Sequence, residues 1–389
     1  TNRAAAGAYR APGAQQASFA IESAIDDLAD QLGIDPLEFR LANCAEEGDL
    51  RPSGGAWPKI GLRETLEALK AHSAWQNRTP GTGIAIGGWP GGVEPSTASC
   101  MMDSDGKISV VVGTSDISGS TSGFHAIAAE VLGVDRDDVR IIVADTASAG
   151  FASSSGGSKV MYTMGAAVQK AAEDARAQIL SVAAQHLEAN TDDLEIVDGK
   201  VQVRGVPGAS VTLKEIASLT TSASNEYTPV YGKGATSITN SAPGFAVHLA
   251  DVSVDEETGD VSINRYVAAQ DVGFAINPGL VEDQILGGVA QGLGWALYEA
   301  IEFDEDGQLI TGTLTDYTLP RADHIPHIET LMIEIHSEHG PFGAKGVGEP
   351  PAIPGPAVIR NAIKHATGGA KVSTLPMRPE RVLAALAER

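Results

Sequence analysis

Four turn signals, Asp105-Gly106, Asp198-Gly199, Thr258-Gly259 and Asp306-Gly307, stand between runs of alternating apolar and polar residues. Pairs of this kind accept the backbone angles of a tight hairpin, so they predict antiparallel strands joined directly to one another. Strands that come in hairpins do not build a doubly wound parallel sheet, in which a crossover helix separates successive strands. Two of the strand pairs lead through a loop into a long helical pattern: Ile108–Val112 precedes Phe124–Leu132, and Val261–Ala268 precedes Val281–Leu297. The expectation is an α+β architecture of mixed sheets with packed helices, in which one hairpin–loop–helix unit is used twice.

Ahead of the hairpins the texture is helical. Ile21, Ile25, Leu28 and Leu32 recur at spacings of four, three and four between Phe19 and Leu32, which predicts a helix burying that apolar face. Asp35-Pro36 supplies an N-cap and a proline at the first helical position for a second, shorter helix. A third helix is expected from Leu62 to His72. The change of texture near Gly81 sets the expected boundary between a first unit, residues 1–79, and a second, residues 80–389.

Composition narrows the class of function. The formal charge of −23 and pI near 4.7 exclude a phosphate-backbone binder, which needs clustered Lys and Arg. With two cysteines, Cys44 and Cys100, the chain cannot ligate an iron–sulfur cluster, so any redox relay is expected on another chain. No apolar run approaches the roughly 18 residues of a membrane span, and the opening Thr1-Asn2-Arg3-Ala4 lacks a signal-peptide core. His125, His248, His336 and His339 show no metal-site spacing and read as structural or surface residues.

Several segments carry chemistry. Gly343-Ala344-Lys345-Gly346-Val347-Gly348-Glu349-Pro350-Pro351 sets one carboxylate in a glycine frame and stops the backbone with two prolines, which suits a base held at a fixed point or, more plainly, a surface turn. The loop Gly113–Gly123, containing Ser118 and Gly119, joins a strand to a helix and brings backbone N–H groups and hydroxyls to a helix start, a place that favours an anion unless it is a plain capping loop. A second loop, Ser153–Lys159, does the same ahead of an alanine-rich helix from Gly165 to Leu180, with Gly157, Ser158 and Lys159 beside it. In Leu286–Trp295 four glycines interrupt a helical pattern at about 1 kcal/mol each relative to alanine, so either a neighbouring helix or a cofactor approaches, with Gln291 as a polar contact. Gly81-Thr82-Gly83 with Gly87-Gly88 is not a dinucleotide fingerprint, because no helix follows; it reads as a strand. A serine hydrolase built on Ser118 or Ser155 lacks the Gly-x-Ser-x-Gly elbow.

Taken with Ala8-Tyr9-Arg10-Ala11-Pro12-Gly13, Gly33–Asn43, Val254–Gly259, Asp271-Val272-Gly273, Asn277-Pro278 and Gln284–Gly294, these segments resemble the second half of the molybdenum-cofactor-binding subunit of the xanthine dehydrogenase and aldehyde oxidase family. The resemblance covers almost the whole chain. It implies a molybdenum held by the dithiolene of a molybdopterin, in the cytosine dinucleotide form, with no protein side chain on the metal. Glu349 matches the family's catalytic base, which takes a proton from the hydroxo ligand so that its oxygen attacks an electron-poor carbon while hydride passes to the sulfido group. Arg10, Gln291, Lys345 and Gly348 lie in matching cofactor segments, as do Ser118 and Gly119 in one loop and Gly157, Ser158 and Lys159 in the other.

Three departures matter, the first for the glutamine's contact with the cofactor and the other two for the substrate. Ile117-Ser118-Gly119 stands where many relatives have Gly-Gln-Gly; Pro12 replaces the aromatic residue of xanthine-oxidising members; and Ala11 occupies the place of the copper-binding cysteine of carbon monoxide dehydrogenases. The implied reaction is oxidative hydroxylation of an aldehyde or N-heteroaromatic carbon with water as oxygen source. The implied partners are a polypeptide bearing the other half of the molybdenum subunit, a [2Fe-2S] subunit and an FAD subunit, in the cytoplasm or, by way of a partner's export signal, the periplasm. The rival expectation is a non-catalytic half-subunit that serves assembly or binding.

Overall fold

Gly13 and Gly33, both at positive φ, bracket helix α1 (Ala14–Leu32). The periodicity predicted the helix but not its buried face. Ile21, Leu28 and Leu32 are 58%, 44% and 56% exposed, whereas Ser18, Glu22, Asp26 and Ala29 point inward. The inward carboxylates are tolerated because each meets a cation: Glu22 accepts from Arg40 Nε at 2.8 Å, and Asp26 faces Lys364 Nζ at 2.6 Å and His365 Nε2 at 3.1 Å. Helix α2 (Pro36–Asn43) starts where expected, with Asp35 Oδ1 accepting from the Leu37 and Glu38 N–H groups at 2.9 and 3.1 Å. Helices α3 (Leu62–Ala71) and α4 (Ser73–Gln76) follow. The computed structural model describes residues 5–223 and 227–389, so the Thr1-Asn2-Arg3-Ala4 opening lies outside the described residues.

Among the described residues the strands form two four-stranded mixed sheets and a small three-stranded one. Strands β1 (Thr82–Trp89), β2 (Ser96–Met102) and β3 (Ile108–Val112) precede helix α5 (Ser120–Leu132), and strand β4 (Val139–Val143) precedes helix α6 (Gly165–His186). A meander of β5 (Leu194–Val197), β6 (Lys200–Val203) and β7 (Val206–Thr212) leads to α7 (Leu213–Thr221) and β8 (Tyr231–Thr236). The long hairpin of β9 (Gly244–Val254) and β10 (Val261–Asp271) leads to α8 (Pro278–Leu297), β11 (Ile328–Ile333), α9 (Gly355–Ala366) and α10 (Pro379–Ala387).

The hairpin–loop–helix unit does occur twice. In one sheet, order β4-β3-β2-β8, the β2–β3 hairpin is followed by α5 and then by β4, which lies parallel to β3. In the other, order β1-β9-β10-β11, the β9–β10 hairpin is followed by α8 and then by β11, parallel to β10. Each sheet is closed on its far side by an antiparallel strand, β8 or β1. Helices lie close on both closing strands, and glycine allows it: a Cβ at Gly234 would fall 1.9 Å from the Ala167 carbonyl oxygen of α6, and one at Gly83 would fall 2.3 Å from the Ala362 nitrogen of α9.

The turn signals at Asp105-Gly106, Asp198-Gly199 and Thr258-Gly259 join β2 to β3, β5 to β6 and β9 to β10. Asp306-Gly307 makes a turn, but a single bridge between Phe303 and Leu309 closes it in place of a strand pair. Asp304, Glu305 and Asp306 crowd that turn with residues poor at extending a ladder. One core lies between the β4-β3-β2-β8 sheet and α5 and α6. Two more serve the other sheet, and one of them joins Leu37, Leu66 and Leu69 to Ile84, Val247 and Leu249, so packing runs across the expected line between residues 79 and 80.

Candidate functional site

Glu349 closes the loop that follows β11, immediately before the 3-10 turn Pro350–Ala352. The two prolines are buried, and Pro351 lies against α8 where a Cβ at Gly288 would fall 2.5 Å from its Cγ. A Cβ at Gly292 would likewise fall 2.9 Å from the Ala352 carbonyl oxygen. Two of the four helix glycines therefore serve close packing, and what they bring close is the segment that fixes Glu349. That residue is only 8% exposed. Its neighbour is Ser158, whose hydroxyl donates to Glu349 Oε2 and accepts from the Glu349 N–H at 2.8 Å, so one side chain 191 positions away grips both ends of the residue.

Arg10 comes from the opposite end of the chain. Its Nε donates to the Gly348 carbonyl at 2.5 Å, one Nη donates to the Gln284 carbonyl at 2.9 Å, and the other reaches Gln291 Oε1 at 3.5 Å. Burial lowers the guanidinium pKa from its ordinary value, against the opposing charge of Glu349. Gln284 was missed in the sequence. The signal was its separation from Gln291, seven residues or about two turns along the same face of α8.

Glu349, Arg10 and Gln291 border a cavity of about 770 Å³ together with Ser118, Gly119, Gly157, Ser158, Lys159, Lys345 and Gly348, so each residue expected to act as base or to hold the cofactor lies on one wall or another. They do not all face it alike. The Lys345 ammonium is fully buried in an ion pair with Asp271 at 2.7 Å and donates to the Lys59 carbonyl at 3.0 Å. It pins the Glu349 loop to the end of β10, and its charge is already paired within the protein. Lys159 is also buried, donating to the Gly156 carbonyl at 3.1 Å and facing Glu94 at 3.4 Å.

The two helix starts differ from expectation. Asp116 accepts from the Ser120 and Thr121 N–H groups at 2.8 and 3.3 Å, so the chain's own carboxylate already caps α5. The loop meets the cavity through Ile117, Ser118 and Gly119 instead. The second loop runs into a π-helical turn, Val160–Met164, before α6 begins; the Gly165 N–H is bonded to the Val160 carbonyl and is not free for an anion. The amides that remain open belong to loops: among the described residues the N–H groups of Gly156, Gly157, Gly346, Val347 and Gly348 have no acceptor. All five residues line the cavity.

Elsewhere the remaining candidates are structural. His248 is fully buried, bonded to the Tyr266 hydroxyl at 2.8 Å, and burial pushes its pKa down to about 3. Cys100 is buried, and burial pushes its thiol up to about 12.

The sequence model of the molybdopterin cofactor-binding domain matches residues 58–326, and a second model of the same description matches residues 1–44. The chain belongs to the molybdopterin cofactor-binding domain family. This molybdopterin-binding chain is 34% identical over 403 residues to the xanthine dehydrogenase molybdenum-binding subunit of Escherichia coli O157:H7, covering 98% of this chain and 54% of that protein. It is 29% identical to the nicotine 6-hydroxylase large subunit of Paenarthrobacter nicotinovorans, covering 99% and 51%. The crystal structure of quinoline 2-oxidoreductase from Pseudomonas putida 86 superposes with a TM-score of 0.90 at 28% identity, covering 98% of this chain and 53% of that one. The molybdopterin-binding chain thus spans about half the length of the curated relatives it matches.

The cavity residues fit such a cofactor. A run of unpaired loop amides suits an acceptor-rich and anionic group, and a guanidinium stands beside them. Gly156, on the cavity wall, leaves room for it: a Cβ there would meet nothing within 4 Å.

Proposed function

We propose that the chain is the half of a molybdenum hydroxylase that carries the general base, acting in the oxidative hydroxylation of an aldehyde or N-heteroaromatic carbon with water as oxygen source. When bound, the molybdenum pterin supplies the two-electron oxidation and the oxygen transfer. The chain's residues supply position and proton acceptance. The Gly156-Gly157 and Gly346–Gly348 amides and the Ser118-Gly119 edge would hold the pterin and its phosphates, and Gln291 with Arg10 would border it. The Glu349 carboxylate accepts the proton released in the reaction, and Ser158 and the Arg10–Gly348 bond keep it aimed.

The observation that carries this reading is the low exposure of Glu349 beside the cavity, gripped through both its backbone and its carboxylate by Ser158. A base must be held where the proton leaves, and a surface turn needs no such grip. The cytosine dinucleotide form of the cofactor, and [2Fe-2S] and FAD carriers on partner chains, belong to the same proposal; two cysteines alone support placing the clusters elsewhere. The names of relatives acting on nicotine and quinoline support an N-heteroaromatic substrate. The chain's share of its relatives' length supports a further portion of the molybdenum subunit that completes the site.

Replacing Glu349→Gln in the purified complex tests the proposal. Turnover is expected to fall at least about 10²-fold, the typical contribution of a positioned base, while molybdenum per complex stays at the wild-type value. Retained turnover in the variant, or a wild-type complex free of molybdenum, overturns it and leaves a half-subunit that serves assembly.

A further inference from the structure

Helix α1 turns Glu22 and Asp26 inward and several aliphatic side chains outward. Glu22, Asp26 and Asp27 are anchored to Arg40, Arg360 and Lys364, and these bonds fix the rotation of the helix about its axis. The face left outside carries Ile21 at 58% exposure, Leu28 at 44% and Leu32 at 56%, and continues past the Gly33 cap to Ile34 at 42%. Ala24 fills the gap between Ile21 and Leu28, Ala17 and Ala20 extend the face toward the N-terminal end, and Gln31 is its polar member, so a stripe about four turns long bears no formal charge. Isolated exposed aliphatics need no explanation, but a continuous uncharged stripe on a helix already locked in rotation does.

We propose that this stripe is the docking face for the polypeptide that carries the rest of the first molybdopterin-binding domain. The inference rests on the reading of this chain as half of a molybdenum subunit. Two observations choose the occupant. The first-domain match covers residues 1–44 and so takes in α1 and α2, while about half of each relative's length has no counterpart here. On that reading, the rest of the subunit would pack beside the elements matched to this domain, α1 and α2. A second copy of this chain is the weaker occupant, because two bodies of charge −23 repel on approach. The partner's contact surface is expected to be aliphatic or aromatic, matching a face without charge.

A photo-crosslinking residue at Leu28 in the intact complex tests the assignment, with the same residue at the exposed Val206 of β7 as control. The expected result is a crosslink from position 28, and not from 206, to a peptide of the complementary half, identified by mass spectrometry. A crosslink to a second copy of this chain, equal yields at both positions, or none from position 28 in an assembled complex overturns it. In parallel, Leu28→Asp with Leu32→Asp is expected to lower the co-purified complementary half at least tenfold while the circular dichroism of this chain is unchanged; undiminished co-purification also overturns it. A complex that crosslinks through Leu28 but holds no molybdopterin would sustain this face and remove the proposed activity. A loaded complex that crosslinks elsewhere would do the reverse.

Discussion

At the scale of single residues, Glu349 was legible because its surroundings are local: glycines before it and two prolines after it say that the backbone is being held. Ser158 was read only as part of a serine-rich loop, because its bond to Glu349 closes a separation of 191 positions that no local pattern encodes. Lys345 looked like a cation for the cofactor, but its partner Asp271 lies 74 positions away at the end of β10. Ser158 also holds a positive φ of 58°, a conformation that glycine adopts freely. Ser158→Gly removes the hydroxyl while relaxing the backbone, so the fold is expected to keep its stability to within about 1 kcal/mol. Freed from its grip, Glu349 loses alignment, and kcat is expected to fall on the order of tenfold to a hundredfold with molybdenum content and KM little changed. A variant that instead loses molybdenum at unchanged kcat per metal would make Ser158 a cofactor contact and not a positioning residue.

At the scale of elements, the turn signals and helix caps specified most boundaries, because hairpin turns and N-caps are decided by a few adjacent residues. The face that α1 buries was not legible, since periodicity reports where apolar residues recur and not which side finds partners. Here the partners are cations of α9, more than 330 positions away: Arg360 meets Asp27 at 2.8 Å and Lys364 meets Asp26 at 2.6 Å. His365 belongs to the same network, with Asp26 at 3.1 Å and Asp30 at 3.9 Å facing its Nε2, Lys364 beside it, and the Thr82 carbonyl of β1 at 2.7 Å from its Nδ1. Burial opposes a charge on the imidazole, but the Asp26 hydrogen bond and charge, with the Thr82 bond, outweigh it and hold the pKa above its ordinary value. A raised pKa in the folded state means that protonated His365 contributes stability fully present below the unfolded value of about 6.5 and lost as pH climbs through the raised one. Asp26 has the opposite sign: burial works to raise its pKa, but the His365 and Lys364 contacts hold it below the usual carboxylate range, so its contribution is present above that range and lost on acidification. The thermal midpoint is therefore expected to fall between about pH 6 and about pH 9 more steeply in the wild type than in His365→Gln. Identical slopes would remove the imidazole charge from the α1–α9 contact.

At the scale of the whole molecule, the twofold use of a hairpin, a loop and a helix was visible as an order of elements, but the parallel strand that ends each unit and the way the two sheets face each other were not. That arrangement makes the cavity. One wall comes from the β4-β3-β2-β8 side, through Ile117–Ser120 and Ser155–Met161, and the other from the β1-β9-β10-β11 side, through Val272–Gln291 and Ala344–Glu349. The hydrophobic cores of the two sides are separate. The sides meet at the cavity through Ser158 with Glu349, Asn277 Nδ2 donating to Ser122 Oγ at 2.9 Å, Gly346, where a Cβ would fall 1.7 Å from the Ser158 carbonyl oxygen, and Ile276, which packs against the core of the other side. A ligand lodged between two such walls binds only when both are folded and apposed, so its binding free energy couples them. At a hundredfold excess over Kd, that coupling is worth about 2.7 kcal/mol. Complex purified from a host able to make molybdopterin is therefore expected to unfold, in scanning calorimetry, in a single transition. The same complex from a host unable to make it is expected to show an earlier, separate transition from the β4-β3-β2-β8 side, recognised by hydrogen exchange first appearing in residues 96–236. If loaded and empty complexes unfold at one temperature with the same exchange pattern, the cofactor does not bridge the two sheets, and the walls of the cavity must be held together by the interlocked loops alone.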